Sequence, residues 1–335
     1  MSIVVEDRAK DIRRIDAAAL HAVIAVVIPC YRVRSHVLEV IASIPKWVDL
    51  IIVVDDACPE DTGSEVERHC QDPRVKVLRN PRNMGVGGAV IAGYREALAQ
   101  SATIVVKIDG DGQMDPGLLE IFLMPLVHGD ADYVKGNRFH DLTAIGRMPT
   151  IRIFGNAMLS FMAKASSGYW DLFDPTNGYT AIHVDALRRL PLDKVSERYF
   201  FETDLLFRLY TIGAVVEDVP MEARYGDEQS NLRIGRVLGP FLLGHTRNVC
   251  KRIFYKYFLR EFSVASLELV VGSILLLFAV IFGGYHWWRS IETGIANPLG
   301  TVIISALSVL AGLQLVLAFL GFDMASSPRR PLQRG

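Results

Sequence analysis

Thr103–Pro116 has the sequence TIVVKIDGDGQMDP, an apolar run that stops abruptly in acid and glycine. Ile104-Val105-Val106 is β-branched and short, the pattern of a buried strand, and Asp109-Gly110-Asp111-Gly112-Gln113 with Asp115-Pro116 is a polar turn at its end. Asp109 and Asp111 are two positions apart, so on extended backbone their carboxylates point the same way. Gly110 and Gly112 leave room for something large to approach the main chain. Two hard carboxylate ligands and the amide oxygen of Gln113 suit Mg²⁺ or Mn²⁺ whose shell is completed by a diphosphate. An acidic surface turn and a calcium loop are the alternatives. An EF-hand needs a bidentate Glu at position 12 of its loop. Counting from Asp109 that position is Glu120, but position 6 is Met114 rather than Gly, and an apolar strand precedes where a helix should.

Outward from this turn the pattern repeats. His21–Pro29 (HAVIAVVIP) is a continuous apolar run, as expected of a strand covered on both faces, and ends at Pro29-Cys30-Tyr31. Val37–Ile44 has helical spacing. Leu50–Asp56 (LIIVVDD) is a second buried strand that ends in paired carboxylates. Val75–Leu78 is a third, followed by Asn80-Pro81-Arg82-Asn83, the glycines Gly85, Gly87 and Gly88, and a helix over Ala89–Ala99. The alternation implies an α/β domain with a parallel sheet and right-handed crossovers. In such sheets the ligand lies beyond the carboxyl ends of the strands. All four polar clusters fall at those ends. The glycines after the third strand also resemble a dinucleotide fingerprint, but that element should open the first strand–helix unit. Close helix–sheet packing is the other reading of Gly87 and Gly88.

The 335 residues, half of them hydrophobic, allow one large domain and something more, and a formal charge of −1 gives no reason to expect nucleic acid. Cys30, Cys58, Cys70 and Cys250 lie far apart without a CxxC pair, which supports neither zinc nor a disulfide framework. Residues 1–20 mix acids and bases without a long apolar core, a tail or a short surface helix rather than a secretory signal.

VVIPCYR, IIVVDDACPEDT, NMGVGGAVIAGY, VVKIDGDGQMDP and VKGNRF, in that order, resemble the successive motifs of family 2 glycosyltransferases with the GT-A fold. The nearer resemblance is to dolichol-phosphate mannose synthase and bacterial polyprenyl-phosphate glycosyltransferases, over roughly Ile24 to Arg236. It implies a Rossmann-like, mostly parallel GT-A domain over residues 21–236. It also implies a UDP- or GDP-sugar donor, a polyprenyl (undecaprenyl or dolichyl) phosphate acceptor, and a homo-oligomer. The donor-side residues it implies are Pro29, Tyr31, Asp55, Asp56, Gly85, Gly87, Gly88 and Asp109, with metal held by Asp109, Asp111 and Gln113. The family often has Ser soon after the DD pair, where this chain reads Ala57-Cys58.

Further on, Arg138 ends the Lys135-Gly136-Asn137-Arg138 strand and matches the family's G-[SN]-R, close to the reaction centre. Thr150–Ala165 is a helix with Arg152 and Asn156 four apart on one face. Arg138 and Arg152 are the candidates to bind the acceptor phosphate. The turn Asp174-Pro175-Thr176-Asn177-Gly178-Tyr179 resembles the family's acceptor-side turn. Glu202, ahead of an amphipathic helix, is a candidate base or orienter. Glu222-Ala-Arg224-Tyr225-Gly226 with Ser230 resembles the family's arginine–glycine–serine loop, which gives Arg224 the departing diphosphate. Asp111, Arg138, Glu202 and Arg224 form the expected catalytic set.

The last quarter changes character. Residues 237–262 interleave Arg247, Lys251, Arg252, Lys256 and Arg260 with Phe254, Tyr255, Tyr257 and Phe258, which predicts an amphipathic helix on an anionic membrane surface. Residues 264–282 and 299–322 are each long and apolar enough to cross a bilayer. Tyr285, Trp287 and Trp288 sit between them like an interfacial belt, and Arg329, Arg330 and Arg334 follow in the tail over 324–335. By the positive-inside rule the catalytic domain and both termini are cytoplasmic, and the resemblance implies the inner or plasma membrane of a bacterium. Attack by an anionic lipid phosphate from the face opposite the diphosphate would invert the sugar. The rival expectations are another lipid or glycan acceptor and a non-catalytic membrane scaffold.

Overall fold

Strand β1, Ile24–Cys30, is buried at every position, and the two faces of the sheet divide its side chains. Ala25 and Val27 join one apolar cluster with Val105, Tyr94 and Leu206, whereas Ile24, Val26 and Ile28 join another with Val106, Phe122 and Leu126. A strand covered on both sides needs an unbroken apolar run. The computed structural model describes residues 22–138, 150–221 and 234–335. The expected N-terminal tail lies outside them.

Among the described residues the sheet has seven strands, in the order β3-β2-β1-β4-β6-β5-β7. β2 is Leu50–Asp55, β3 Val75–Arg79, β4 Ile104–Lys107, β5 Tyr133–Asn137, β6 Thr180–His183 and β7 Val216–Pro220. β6 alone is antiparallel to its neighbours β4 and β5, so the sheet is mostly parallel. Helices α1 (Val37–Ser43), α2 (Thr62–His69), α3 (Val86–Ala99) and α4 (Leu119–Val127) follow β1 to β4. α5 is Thr150–Ser167, α6 Val184–Arg189, α7 Phe201–Ile212 and α8 Ile234–Phe254. α3 runs close to β1 because Gly93 has no side chain: a Cβ there would lie 2.3 Å from Val27 Cγ1.

The chain divides into two units, residues 1–248 with 328–335, and residues 249–327. In the second, a π-helical turn over Tyr255–Arg260 leads to α9 (Val264–Phe278), α10 (Gly284–Thr293) and α11 (Leu299–Ala325). Val264–Thr293 and Leu299–Ala325 are each long and apolar enough to cross a membrane. Only 22% and 17% of their most apolar windows are buried, so most of that surface faces outward, as it would toward lipid. They pack where both are glycine: a Cβ on Gly272 would meet Gly312 O at 3.0 Å, the close approach that small residues permit between membrane helices. Arg252 and Lys256, expected on a basic surface, are drawn inward. Arg252 pairs through both terminal nitrogens with Asp323, at 2.6 and 2.8 Å, and Tyr257 Oη donates to the same carboxylate at 2.8 Å. Lys256 Nζ donates to Ser326 O at 2.9 Å. A carboxylate buried at the end of an apolar helix must find such partners.

Candidate active site

The carboxyl ends of β1 to β5 converge on one rim, and the residues beyond them enclose a cleft in two parts. The larger, about 490 Å³, is lined by Pro29 and Tyr31 after β1, Asp56 after β2, Gly85 before α3, and Asp109 and Asp111 after β4. The smaller, about 200 Å³, is lined by Asp109, Asp111, Gln113, Arg138, Thr176 and Glu202, among others. Both parts share Asp109 and Asp111, so the acid pair stands where they meet.

The floor of the larger part is set by Asp56, which is 2% exposed. Its Oδ1 accepts from Asn80 Nδ2 at 2.7 Å and Met84 N–H at 2.8 Å, and its Oδ2 from Gly85 N–H at 2.7 Å. Gly85 has φ +87°, which explains the glycine there. Tyr31, 43% exposed, offers an aromatic face at the cleft wall. Three expected donor residues do other work. Asp55 points to the opposite side of β2 and caps the turn below it, accepting from Cys58 N–H at 2.7 Å and Gly63 N–H at 2.6 Å. Gly87 lets the start of α3 approach the segment before α7, where a Cβ would lie 2.4 Å from Ser196 O, and at Gly88 a Cβ would lie 2.3 Å from Met84 Cβ in the turn that opens α3.

Two lysines inside strands, neither foreseen as a site residue, shape the smaller part. Lys107 of β4 is fully buried, with Nζ 2.8 Å from Asp109 Oδ1 and 3.8 Å from Glu202 Oε1. Burial alone would lower its pKa, but Asp109 and Glu202 more than offset this and raise it, so it remains a fixed cation. Gly178 crosses directly over the pair, where a Cβ would meet Lys107 Nζ at 2.6 Å and Asp109 Oδ2 at 2.8 Å. Lys135 of β5 donates to Asn177 O, and burial lowers its pKa to about 8. Each lysine is in register with Thr180 of β6. The signal was a charge within an apolar strand, IVVK and YVK.

Arg138 is held from behind. Its Nε and Nη2 donate to Asp174 at 2.7 and 3.1 Å, and Asp174 is wholly buried. Burial would raise the Asp174 carboxyl, but the guanidinium holds it below the ordinary range. Thr176 Oγ1 also donates to it, at 3.3 Å. Glu202 lies in the first turn of α7, where the helix dipole favours an acid. Arg152 lies on α5, and its side chain is outside the described residues, as is Asn156; Glu222, Arg224 and Ser230 are outside them altogether. Arg198 and Tyr199, which also line the larger part, carried no signal in the sequence.

Among the described residues no three His, Cys, Asp or Glu side chains gather into a metal cage. Two carboxylates facing one polar cleft fit a hard cation that takes the rest of its shell from phosphate oxygens. Lys107 Nζ engages Asp109, and Asp111 stands two residues on in the same turn, lining both parts of the cleft. Its Oδ1 accepts from Gln113 N–H at 3.0 Å, which folds the turn around the carboxylate.

The mostly parallel sheet with acids at its carboxyl rim has the architecture of the GT-A fold. The sequence profile of glycosyl transferase family 2 matches residues 25–190. The chain is 33% identical over 202 residues to an undecaprenyl-phosphate mannosyltransferase of Micrococcus luteus, covering 59% of this chain and 81% of that one. It is 29% identical over 201 residues to a polyprenol monophosphomannose synthase of Mycolicibacterium smegmatis, covering 58% and 75%. Glucosyl-3-phosphoglycerate synthase of Mycobacterium tuberculosis, solved with Mn²⁺, UDP-glucose and phosphoglyceric acid, superposes with a TM-score of 0.53 at 20% identity, covering 72% of this chain and 83% of that one. The chain belongs to glycosyl transferase family 2 and is a glycosyltransferase.

Proposed function

We propose that the protein transfers a sugar from a nucleotide-sugar donor to a polyprenyl phosphate in the membrane, with inversion, and that its catalytic unit is cytoplasmic. The observation that carries this reading is the divided cleft, whose two parts meet at Asp109 and Asp111. The larger part suits the nucleotide: Tyr31 can stack on a base, and Asp56 holds the Asn80–Gly85 loop that closes one wall. The smaller part has the cation an acceptor phosphate needs. Arg138, braced by Asp174, orients that anion toward the sugar carbon without spending its own rotamer freedom at binding. A lipid phosphate is already ionised at neutral pH, so Glu202 serves better as an orienting acid, paired with Lys107, than as a strong base. Asp109, Asp111 and Gln113 are the residues that would hold Mg²⁺ or Mn²⁺, which would supply positive charge against the departing diphosphate. The relatives named for undecaprenyl-phosphate and polyprenol mannosyl transfer support the acceptor class, as do two helices of membrane-spanning length.

The test is transfer by the purified chain in vesicles containing undecaprenyl phosphate, with a panel of UDP- and GDP-sugars and with or without a chelator. A chelator-sensitive, lipid-linked monosaccharide phosphate is the expected product. Transfer to a free sugar, a protein or a phosphate-free lipid, with none to the lipid phosphate, would overturn the acceptor assignment.

A further inference from the structure

The segment that follows α11 returns to the first unit. Pro331 leads into one 3-10 turn, Leu332–Arg334, and its polar groups find partners around the start of β5. Leu332 N–H donates to both carboxylate oxygens of Asp132, at 2.8 and 3.0 Å. Gln333 Nε2 donates to the carbonyls of Leu126 and Ala131, at 3.0 and 2.7 Å. Arg334 Nη2 donates to His128 O and to Asp130 Oδ1, each at 2.8 Å. The Leu332 side chain packs on the apolar cluster that includes Tyr133 and Leu187. Because β5 ends in Asn137 at the catalytic rim, Asp132 lies at the opposite rim, about 17 Å away along a strand of this length.

The receiving surface is shaped for this segment. Asp132 is wholly buried. Val215 N–H satisfies its Oδ2 at 2.8 Å, while among the described residues its Oδ1 accepts from Leu332 N–H alone. A buried carboxylate oxygen left without a donor is costly, so the site is incomplete without the segment. Gly129 has φ +70°, and a Cβ there would lie 3.1 Å from Arg334 Nε.

We infer that residues 126–132 form a latch for Leu332–Arg334, so that the catalytic unit grips the chain on both sides of the two apolar helices. With those helices in a bilayer, the chain before the first and after the second lies on one membrane face. The latch does not depend on which sugar or acceptor the enzyme uses.

Hydrogen exchange on the full chain in detergent tests it. In a Gln333→Ala/Arg334→Glu variant, whose altered side chains lie toward the surface, the amides of Leu332 and Val215 should exchange about tenfold faster or more. Exchange in β1 and β2 should stay unchanged, which separates an open latch from an unfolded domain. A peptide of residues 328–335 added to a variant lacking them should restore the protection at Val215. Unchanged exchange in the double variant, or no restoration by the peptide, would overturn the latch. Proteolysis of sealed vesicles should release peptides of residues 328–335 and of the catalytic unit from the same side; release from opposite sides would also overturn it.

Discussion

Lys107 Nζ lies 2.8 Å from Asp109 Oδ1, and both groups sit beneath the backbone of Gly178. The ammonium is the only one of these charges that is fully buried, and it separates two acids, Asp109 and Glu202, that would otherwise repel across the narrow part of the cleft. Lys107→Met keeps the side-chain volume and removes the cation. Breaking one partner of a buried pair costs about 3–5 kcal/mol, and since Asp109 is 30% exposed the lower end applies here. The expected result is a lower unfolding temperature together with weaker transfer, and a Gly178→Ala variant should lose transfer as well, since its methyl displaces the pair. A Lys107→Met protein as stable and as active as the parent would show that the pair is incidental.

Asp111→Asn should leave the fold intact and abolish transfer. The residue stands outside both apolar clusters, and an amide keeps an acceptor oxygen for Gln113 N–H, while the proposed metal role needs the charge. Losing one anionic ligand should remove several kcal/mol of transition-state stabilisation. Metal titration followed by calorimetry in the presence of nucleoside diphosphate separates the two effects. Ordinary turnover that still requires metal would exclude Asp111 as a ligand.

β1, β2 and β4 were legible in the sequence because each is an apolar run, buried on both faces, that ends in a polar cluster. β6 was not. Thr180–His183 is four residues long, follows a turn without a strand-like signature, and runs antiparallel in the middle of the sheet. Lys107 and Lys135 were hidden for a different reason: a charge in a strand suggests solvent, and only the register across Thr180 puts both beneath the cleft. Asp55 and Asp56 are adjacent, yet they take different partners, Asp55 the Cys58 and Gly63 amides and Asp56 the Asn80–Gly85 loop, a difference their adjacency does not reveal. Arg252 and Asp323 are 71 positions apart, and helical periodicity gives no information about such a contact.

His245 gives a prediction about acid stability. Its Nδ1 is 2.8 Å from Ser166 Oγ and its ring stands edge-on to Phe200 and Phe241. Burial lowers its pKa from 6.5 to about 4. Between these values the unfolded chain binds a proton that the folded chain does not, so stability falls as pH drops from 6.5 to about 4. At higher pH the residue contributes no slope. Replacing it with Phe should flatten this part of the pH dependence, measured as unfolding temperature against pH. An identical slope in the variant would mean that His245 takes up its proton in the folded state.

Asp174→Asn tests whether the brace behind Arg138 matters to the acceptor. The wild-type carboxylate is wholly buried and receives Nε and Nη2 of Arg138. An amide has one acceptor oxygen and no charge, so it can satisfy only part of that edge. Arg138 would then lose part of its brace, and an acceptor anion would have to complete its ordering. The expected outcome is a KM for polyprenyl phosphate raised about tenfold, the size of effect that losing one charged hydrogen-bonding partner produces. If the donor takes the larger part of the cleft, as proposed, affinity for the nucleotide sugar should change little, because Arg138 lines the smaller part and not the larger. Some stability should be lost too, so the comparison must be made well below the unfolding temperature. A fall in donor affinity as large as the rise in acceptor KM would place Arg138 on the donor instead, and the division of the cleft would then have to be redrawn.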